Sequence, residues 1–343
     1  MHCIVPFAAP ASEAGRGALA ALQWPVLTAL LARLALLERD EGEATSFSPP
    51  HERVLARVLA GAPGEPGATG ADAAAADGRL PLAAHWARAD GVAVGEAAWG
   101  LVSPVHWLVG TDQVSLADPQ QLQLDEPASR AFFEAVRPLV EDDVAAGEST
   151  WQRPQWFFGH ASRWYLSHES LAGLRSASLD RVAGRNVDPW LVHEGATAAE
   201  TRALRRWRRL QAEVQMLLHA HPLNAEREAR GLPVVNSFWL SGCGRALAGG
   251  HAGDQAGAAP HVELTLRAAA LAEDWGAWAA GWRRIEAGVL RELEATLARG
   301  DDVRLTLAGE RAAVTFGRAA RGLLARMKGL LSRPSVPELL ASL

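Results

Sequence analysis

His219-Ala220-His221-Pro222-Leu223-Asn224-Ala225-Glu226-Arg227, then Val234-Val235-Asn236-Ser237-Phe238-Trp239-Leu240-Ser241-Gly242-Cys243-Gly244, is the densest run of structural signals in the chain. An amphipathic stretch from Ala198 to Leu218 leads into it, with Leu204, Trp207, Leu210, Val214, Leu217 and Leu218 at helical spacing on one face. His221-Pro222 ends that helix, because proline drives the residue before it out of the α region. Asn224 reads as the N-cap of a short charged turn, Ala225 to Arg230, which Gly231 and Pro233 stop. Val234 to Leu240 is β-branched and aromatic and predicts a strand. Ser241 to Gly244 predicts a loop that can take positive φ and bring its backbone close to a ligand. Open α/β sheets gather ligands at the carboxyl ends of their strands, which makes this loop a candidate site.

Working outward, the same alternation recurs. His2 to Phe7 predicts a first strand, and Leu19 to Leu37 a helix that starts near Pro25. His51 to Leu59 and Leu82 to Ala89 read as helices, and Trp99 to Val109 as a strand interrupted at Ser103-Pro104. Asp125 to Leu139 predicts a helix capped by Asp125 or its neighbour. Trp156-Phe157-Phe158 and Trp164-Tyr165-Leu166 form two short strands around Gly159. Leu271 to Leu297 predicts one helix, Val303 to Leu307 a strand with a hairpin partner at Ala313 to Phe316, and Arg318 to Leu331 a last basic helix. Ala60 to Gly78 is rich in Gly, Ala and Pro without apolar period and predicts a flexible loop. The fold class expected is α/β, a central sheet flanked by helices. Residues 1–83 and 201–343 are assigned to the core and 84–200 to an inserted cap-like region.

With 49% apolar and 21% charged residues, the chain has the profile of a water-soluble globular protein. A net charge of −5 gives no general attraction to nucleic acid or anionic membrane. The arginines at 202, 205, 206, 208 and 209 therefore read as a solvated helix face rather than a phosphate-backbone contact. The two cysteines, Cys3 and Cys243, are far apart, which argues against a disulfide framework and fits a reducing, cytoplasmic setting. No apolar run is long enough to span a membrane, and the N-terminus lacks a basic leader. Most of the 13 Trp are assigned to the core.

Few constellations carry chemistry. His219 and His221 are two residues apart, and His251 and Asp254 lie in a glycine-rich loop, so neither pair has metal-ligand spacing. No metal and no cofactor is expected, and no phosphate-cradling glycine motif follows a strand. Asp142-Asp143 and Asp301-Asp302 read as solvated loop ends. Cys243, between glycines after a strand, is either an exposed nucleophile served by His221 or a small residue in a tight turn.

The run His221-Pro222-x-Asn224-x-x-Arg227-x-x-x-Gly231, then Asn236-Ser237-Phe238-Trp239-Leu240-x-Gly242-x-Gly244, resembles the archaeal-type cofactor-independent phosphoglycerate mutases of the alkaline-phosphatase superfamily. His106-Trp107-Leu108-Val109 and Phe157-Phe158-Gly159-His160-Ala161-Ser162-Arg163-Trp164-Tyr165 are similar to pieces of that family's substrate-domain insert. The string VNSFWLSGCG, the Trp-rich helix around Trp275 and LTLAGE near Leu305 resemble a bacterial branch still more closely, the regulatory protein RpfE family. The resemblance implies an alkaline-phosphatase-like core with an inserted cap. It also implies two divalent ions, held by an aspartate ending the first strand and an Asp-His pair ending a late one. Here those places read Val5-Pro6-Phe7-Ala8-Ala9 and Leu307-Ala308-Gly309-Glu310. A non-catalytic regulatory or binding protein that has lost the di-metal site is the expectation. A phosphoester-processing enzyme with a rearranged site and a nucleic-acid-associated factor are the alternatives.

The surviving ligand site is expected around the opening stretch, with Arg163, His221, Asn224, Arg227, Asn236 and Cys243 as its residues. Arg227 and Arg163 offer planar forks for a carboxylate or phosphate, and Asn224 and Asn236 offer donors and acceptors. The expected partner is a small anionic metabolite or a regulatory protein. The competing assignment leaves Asn224 a helix cap, Arg227 an ion-pair partner and Asn236 a loop brace.

Overall fold

The computed structural model describes residues 1–61, 75–141, 153–247, 259–318 and 335–343. In chain order the elements are β1 (His2–Val5), α1 (Glu13–Ala20), α2 (Pro25–Arg33), β2 (Ala35–Glu41), α3 (Pro50–Leu59), α4 (Ala83–Ala89), β3 (Ala98–Val109), β4 (Val114–Ala117), α5 (Glu126–Glu141), β5 (Gln155–His160), β6 (Arg163–Ser167), α6 (Leu179–Val182), α7 (Ala198–His219), α8 (Pro222–Ala229), β7 (Ser237–Arg245), β8 (His261–Val262), α9 (Arg267–Leu271), α10 (Trp275–Ala287), α11 (Val289–Ala298), β9 (Arg304–Ala308), β10 (Ala312–Gly317) and α12 (Val336–Ala341). They form an α/β protein with two sheets flanked by helices, divided into two compact units, Met1–Gly70 with His251–Leu343, and Ala71–Gly250.

In the first unit the sheet order is β2-β10-β9-β1-β8, with β1 parallel to β9 and β8, and β10 antiparallel to β9 and β2. Residues two apart on a strand share a face. Cys3, Val5, Leu305, Leu307 and Val314 face a core built from α2, α10 and α11 through Leu27, Leu30, Trp278, Trp282 and Leu293. On the opposite face α3 covers the sheet. There His2 Nε2 lies 2.9 Å from Thr306 Oγ1, which is 2.8 Å from Thr315 Oγ1. A sheet with parallel strands needs cover on both faces, and it has it. The buried Glu286 carboxylate of α10 caps α2, accepting the N–H groups of Val26 and Leu27 at 2.9 Å each.

In the second unit an antiparallel sheet runs β4-β3-β6-β5, and β7 pairs with the other side of β3. Phe132, Phe133 and Val136 of α5 and Leu204, Trp207 and Val214 of α7 bury one face with Trp156, Trp164 and Phe238. Ala83, Ala84 and Ala87 of α4 cover Trp99 and Tyr165.

Several expectations change. Leu19 to Leu37 is two helices and the start of β2 rather than one helix, because Leu34 turns extended (φ −102, ψ 156) after α2. Leu271 to Leu297 breaks at Gly288 (φ −105, ψ −103) into α10 and α11. β3 runs unbroken through Pro104. That proline falls between Trp99–Val102, which pairs with β6, and His106–Val109, which pairs with β4, where one ladder is interrupted. Residues 201–250, expected with the core, lie in the second unit because β7 zips onto β3. The loop expected at Ala60 to Gly78 and the helix expected from Arg318 fall mostly outside the described residues.

Candidate functional site

The parallel strands of the first unit end where the sequence resemblance implies a metal centre. After β1, Phe7 has a left-handed φ of 55°, its carbonyl accepts Trp278 Nε1–H at 2.9 Å, and Ala8 N–H donates to the Ala308 carbonyl at 2.8 Å. The strand ends thus carry Phe7, Ala8, Ala308 and Gly309. His51, buried at the start of α3, sits with its ring 5.7 Å from that of Phe7. Glu263, after β8, bonds Thr265 N–H at 3.0 Å and the Thr265 hydroxyl at 2.5 Å. Burial pushes the Glu263 carboxyl up, but Thr265 and His261 outweigh it and hold the group below the usual carboxylate range. Two divalent ions about 4 Å apart require a ring of Asp and His donors. The strand ends supply apolar side chains instead, so the residues present do not fit the implied di-metal centre.

The six residues expected to bind a ligand lie in the second unit and are tied to neighbours there. His221, not Asn224, is the N-cap of α8: its Nδ1 accepts Leu223 N–H at 3.3 Å, and Pro222 takes the first helical position. Burial lowers the His221 pKa. Asn224 is buried inside the helix. Its Nδ2 donates to the Leu218 and Val235 carbonyls, both at 2.8 Å, and its Oδ1 accepts Val235 N–H at 2.9 Å. Asn236 does the same across β3, accepting Trp107 N–H at 2.7 Å and donating to the Trp107 carbonyl at 2.9 Å. Arg227 donates to the carbonyls of Pro233 (2.9 Å) and Leu122 rather than to a glutamate. Arg163 forms a bidentate pair with Asp90, at 2.9 and 2.5 Å, and Tyr165 donates to the same carboxylate at 2.6 Å.

Cys243 is buried within β7, its Sγ 3.9 Å from the Ser241 carbonyl, and burial pushes its pKa up to about 12. The expected glycine loop, 241–244, is part of that strand. Gly242 and Gly244 do take positive φ, 63° and 144°, but at an irregularity where Trp99 and Leu101 of β3 face Gly244 and Ser241. A side chain at Gly242 would come within 3.0 Å of the Ala83 backbone nitrogen. The close approach is between backbones, not between backbone and ligand.

A cavity of about 870 Å³ in the same unit is lined by Arg79, His168, Thr197, Glu200, Arg202 and Arg206 among others. By sequence the α7 arginines read as one solvated face. The four-residue spacing of Arg202 and Arg206, behind a Thr N-cap, was the signal that two of them share a side.

No protein-family model matches the chain, and comparison with curated proteins gives no match. Among solved structures, the chain is similar to a cofactor-independent phosphoglycerate mutase from Thermoplasma acidophilum, at 12% identity and a TM-score of 0.36 over 97% of this chain and 96% of that one. It is also similar to the PH0037 protein from Pyrococcus horikoshii, at 12% identity and a TM-score of 0.45 over 96% and 93%.

Proposed function

We propose that this protein is a non-catalytic, phosphoglycerate-mutase-like binding or regulatory protein of the cytoplasm, of the kind grouped as the regulatory protein RpfE family. One observation carries the reading: Phe7, Ala8, Ala308 and Gly309 stand at the strand ends where metal-dependent phosphoryl transfer would need carboxylates and imidazoles. His51, whose ring lies 5.7 Å from that of Phe7, and Glu263, already engaged by Thr265, do not make up the ring of Asp and His donors that two ions need. The motif around His221 and Asn236 supports the mutase-like lineage. A fold of this ancestry does not by itself bring the reaction with it.

Purified protein should release no phosphate from phosphomonoesters and interconvert no phosphoglycerates in the presence of Mn²⁺, Zn²⁺ or Mg²⁺. Metal-dependent turnover that survives repurification and is abolished by chelation would establish the phosphoester-processing alternative instead.

A further inference from the structure

We propose that the small cavity between α7 and β7 binds a monocarboxylate with a short branched apolar chain, its acid on Arg208 and Trp207 and its chain among the aromatic rings. The inference rests on the binding half of the reading above and names a ligand class and a place for it.

One strip of α7 borders this cavity. Leu204, Trp207, Arg208 and Gln211 stand at i, i+3, i+4 and i+7, which puts them on one side of the helix. Phe238 and Trp239 of β7, with Trp190 from the segment before α7, complete an aromatic wall. The cavity holds about 80 Å³. Apolar cavities stay dry and take hydrocarbon, and one of about 150 Å³ accepts benzene. Half that volume suits a short branched chain rather than a ring.

Two polar groups interrupt the apolar wall. Trp207 is only 4% exposed, and its indole N–H has no hydrogen-bond partner. A buried donor without an acceptor is destabilising, and few native groups are left so. Arg208 is half-buried. Among the described residues it donates to the Val192 carbonyl and pairs with no carboxylate. The neighbouring polar groups are engaged. Gln211 Nε2 donates to the Phe238 carbonyl at 2.7 Å, Trp239 Nε1 to the Ala177 carbonyl at 2.9 Å, and Arg175 pairs with Asp77 at 2.9 Å. Among the described residues no carboxylate lines the cavity, so the Arg208 charge is not balanced there. One guanidinium and one indole N–H match a single carboxylate, with one charge and two acceptor oxygens. A phosphate dianion would need more donors than these. The apolar surroundings strengthen the attraction between the two charges.

The probe is isovalerate, followed through the indole N–H signals of the ¹⁵N-labelled full chain. Trp207→Phe identifies which signal belongs to Trp207. That signal should move saturably as isovalerate is added. Isovaleramide, which has the shape without the charge, and acetate, which has the charge without the chain, should each bind roughly tenfold more weakly or worse. Arg208→Gln should weaken isovalerate roughly tenfold or more and leave isovaleramide within about twofold, because only the charged contact is removed. Arg205→Gln removes an exposed charge of the same helix outside the cavity and should change isovalerate affinity less than about twofold. The indole signals of the other tryptophans report whether each variant is folded, and the comparison of the three probes on wild type stands without any variant. A Trp207 signal that does not move, an affinity for isovaleramide or acetate equal to that for isovalerate, or equal losses in Arg205→Gln and Arg208→Gln overturns the proposal. Turnover assays are read separately, so phosphate release would sink the non-catalytic reading and leave this site standing, and a silent Trp207 signal would do the reverse.

Discussion

The side-chain amide of Asn224 pairs with the backbone of Val235 as one strand pairs with another, donating to its carbonyl at 2.8 Å and accepting its N–H at 2.9 Å. A third bond, to the Leu218 carbonyl at 2.8 Å, ties in the end of α7. Asn224→Ala removes the partner of both the Val235 N–H and the Val235 carbonyl, while the Leu218 carbonyl keeps the His221 N–H at 3.1 Å. At about 1–3 kcal/mol for each such group, partly relieved by entering water, the expected loss is about 3 kcal/mol. Asn224→Asp should cost more, since a carboxylate cannot donate and would face two carbonyls. Urea unfolding of the variants measures both. A loss under about 1 kcal/mol would show that water replaces the amide without penalty.

Cys3 and Cys243 are buried, and burial pushes both thiols up to about 12. The carboxylates of Glu263 and Glu292 add to the effect at Cys3. At pH 8 the thiolate fraction is roughly a thousandfold below that of a free cysteine. Ellman's reagent should leave the native protein nearly unmodified and titrate both thiols after denaturation. Rapid modification of Cys243 in the folded protein would restore it as a candidate nucleophile.

His2 is lowered to about 4, by burial first and then by the charges of Arg304 and the N-terminus. His85 and His221 are lowered as well, each by burial first. A histidine whose folded pKa lies below its unfolded value takes up a proton more readily unfolded, so stability falls as pH drops from about 6.5 to 4. Glu38, raised by burial, works the other way and softens the decline. The urea midpoint should fall across this window, and His2→Gln should flatten the slope. An unchanged slope would move the effect to His85, His221 or the carboxylates.

The helices and most strands were legible because their periods are clean. The α7 stripe and the β9–β10 pair lie where period and turn residues put them. The site was less legible. Asn224, Arg227 and Asn236 are polar residues closely spaced around a helix and a strand, and sequence alone cannot tell an amide aimed at a ligand from one completing its own backbone. Here Leu122, Val235 and Trp107, distant in sequence, complete the bonds. Gly242 and Gly244 carried the right signal, positive φ, but it serves a strand irregularity against α4. The boundary at 250 was hidden because β7 finds its partner about 135 residues earlier, in β3.

Because the first unit is split between Met1–Gly70 and His251–Leu343, its sheet cannot be completed in the order the ribosome delivers it. β1 emerges early, yet both its neighbours, β8 and β9, follow the entire second unit. At roughly 5–20 residues per second, β1 and the apolar helix α2 wait on the order of ten seconds or more for the strands that cover them. The second unit is contiguous and closes its own sheet during that interval. Nascent chains stalled before His261 should therefore hold a folded second unit beside an unpaired first strand, the species on which a chaperone would act.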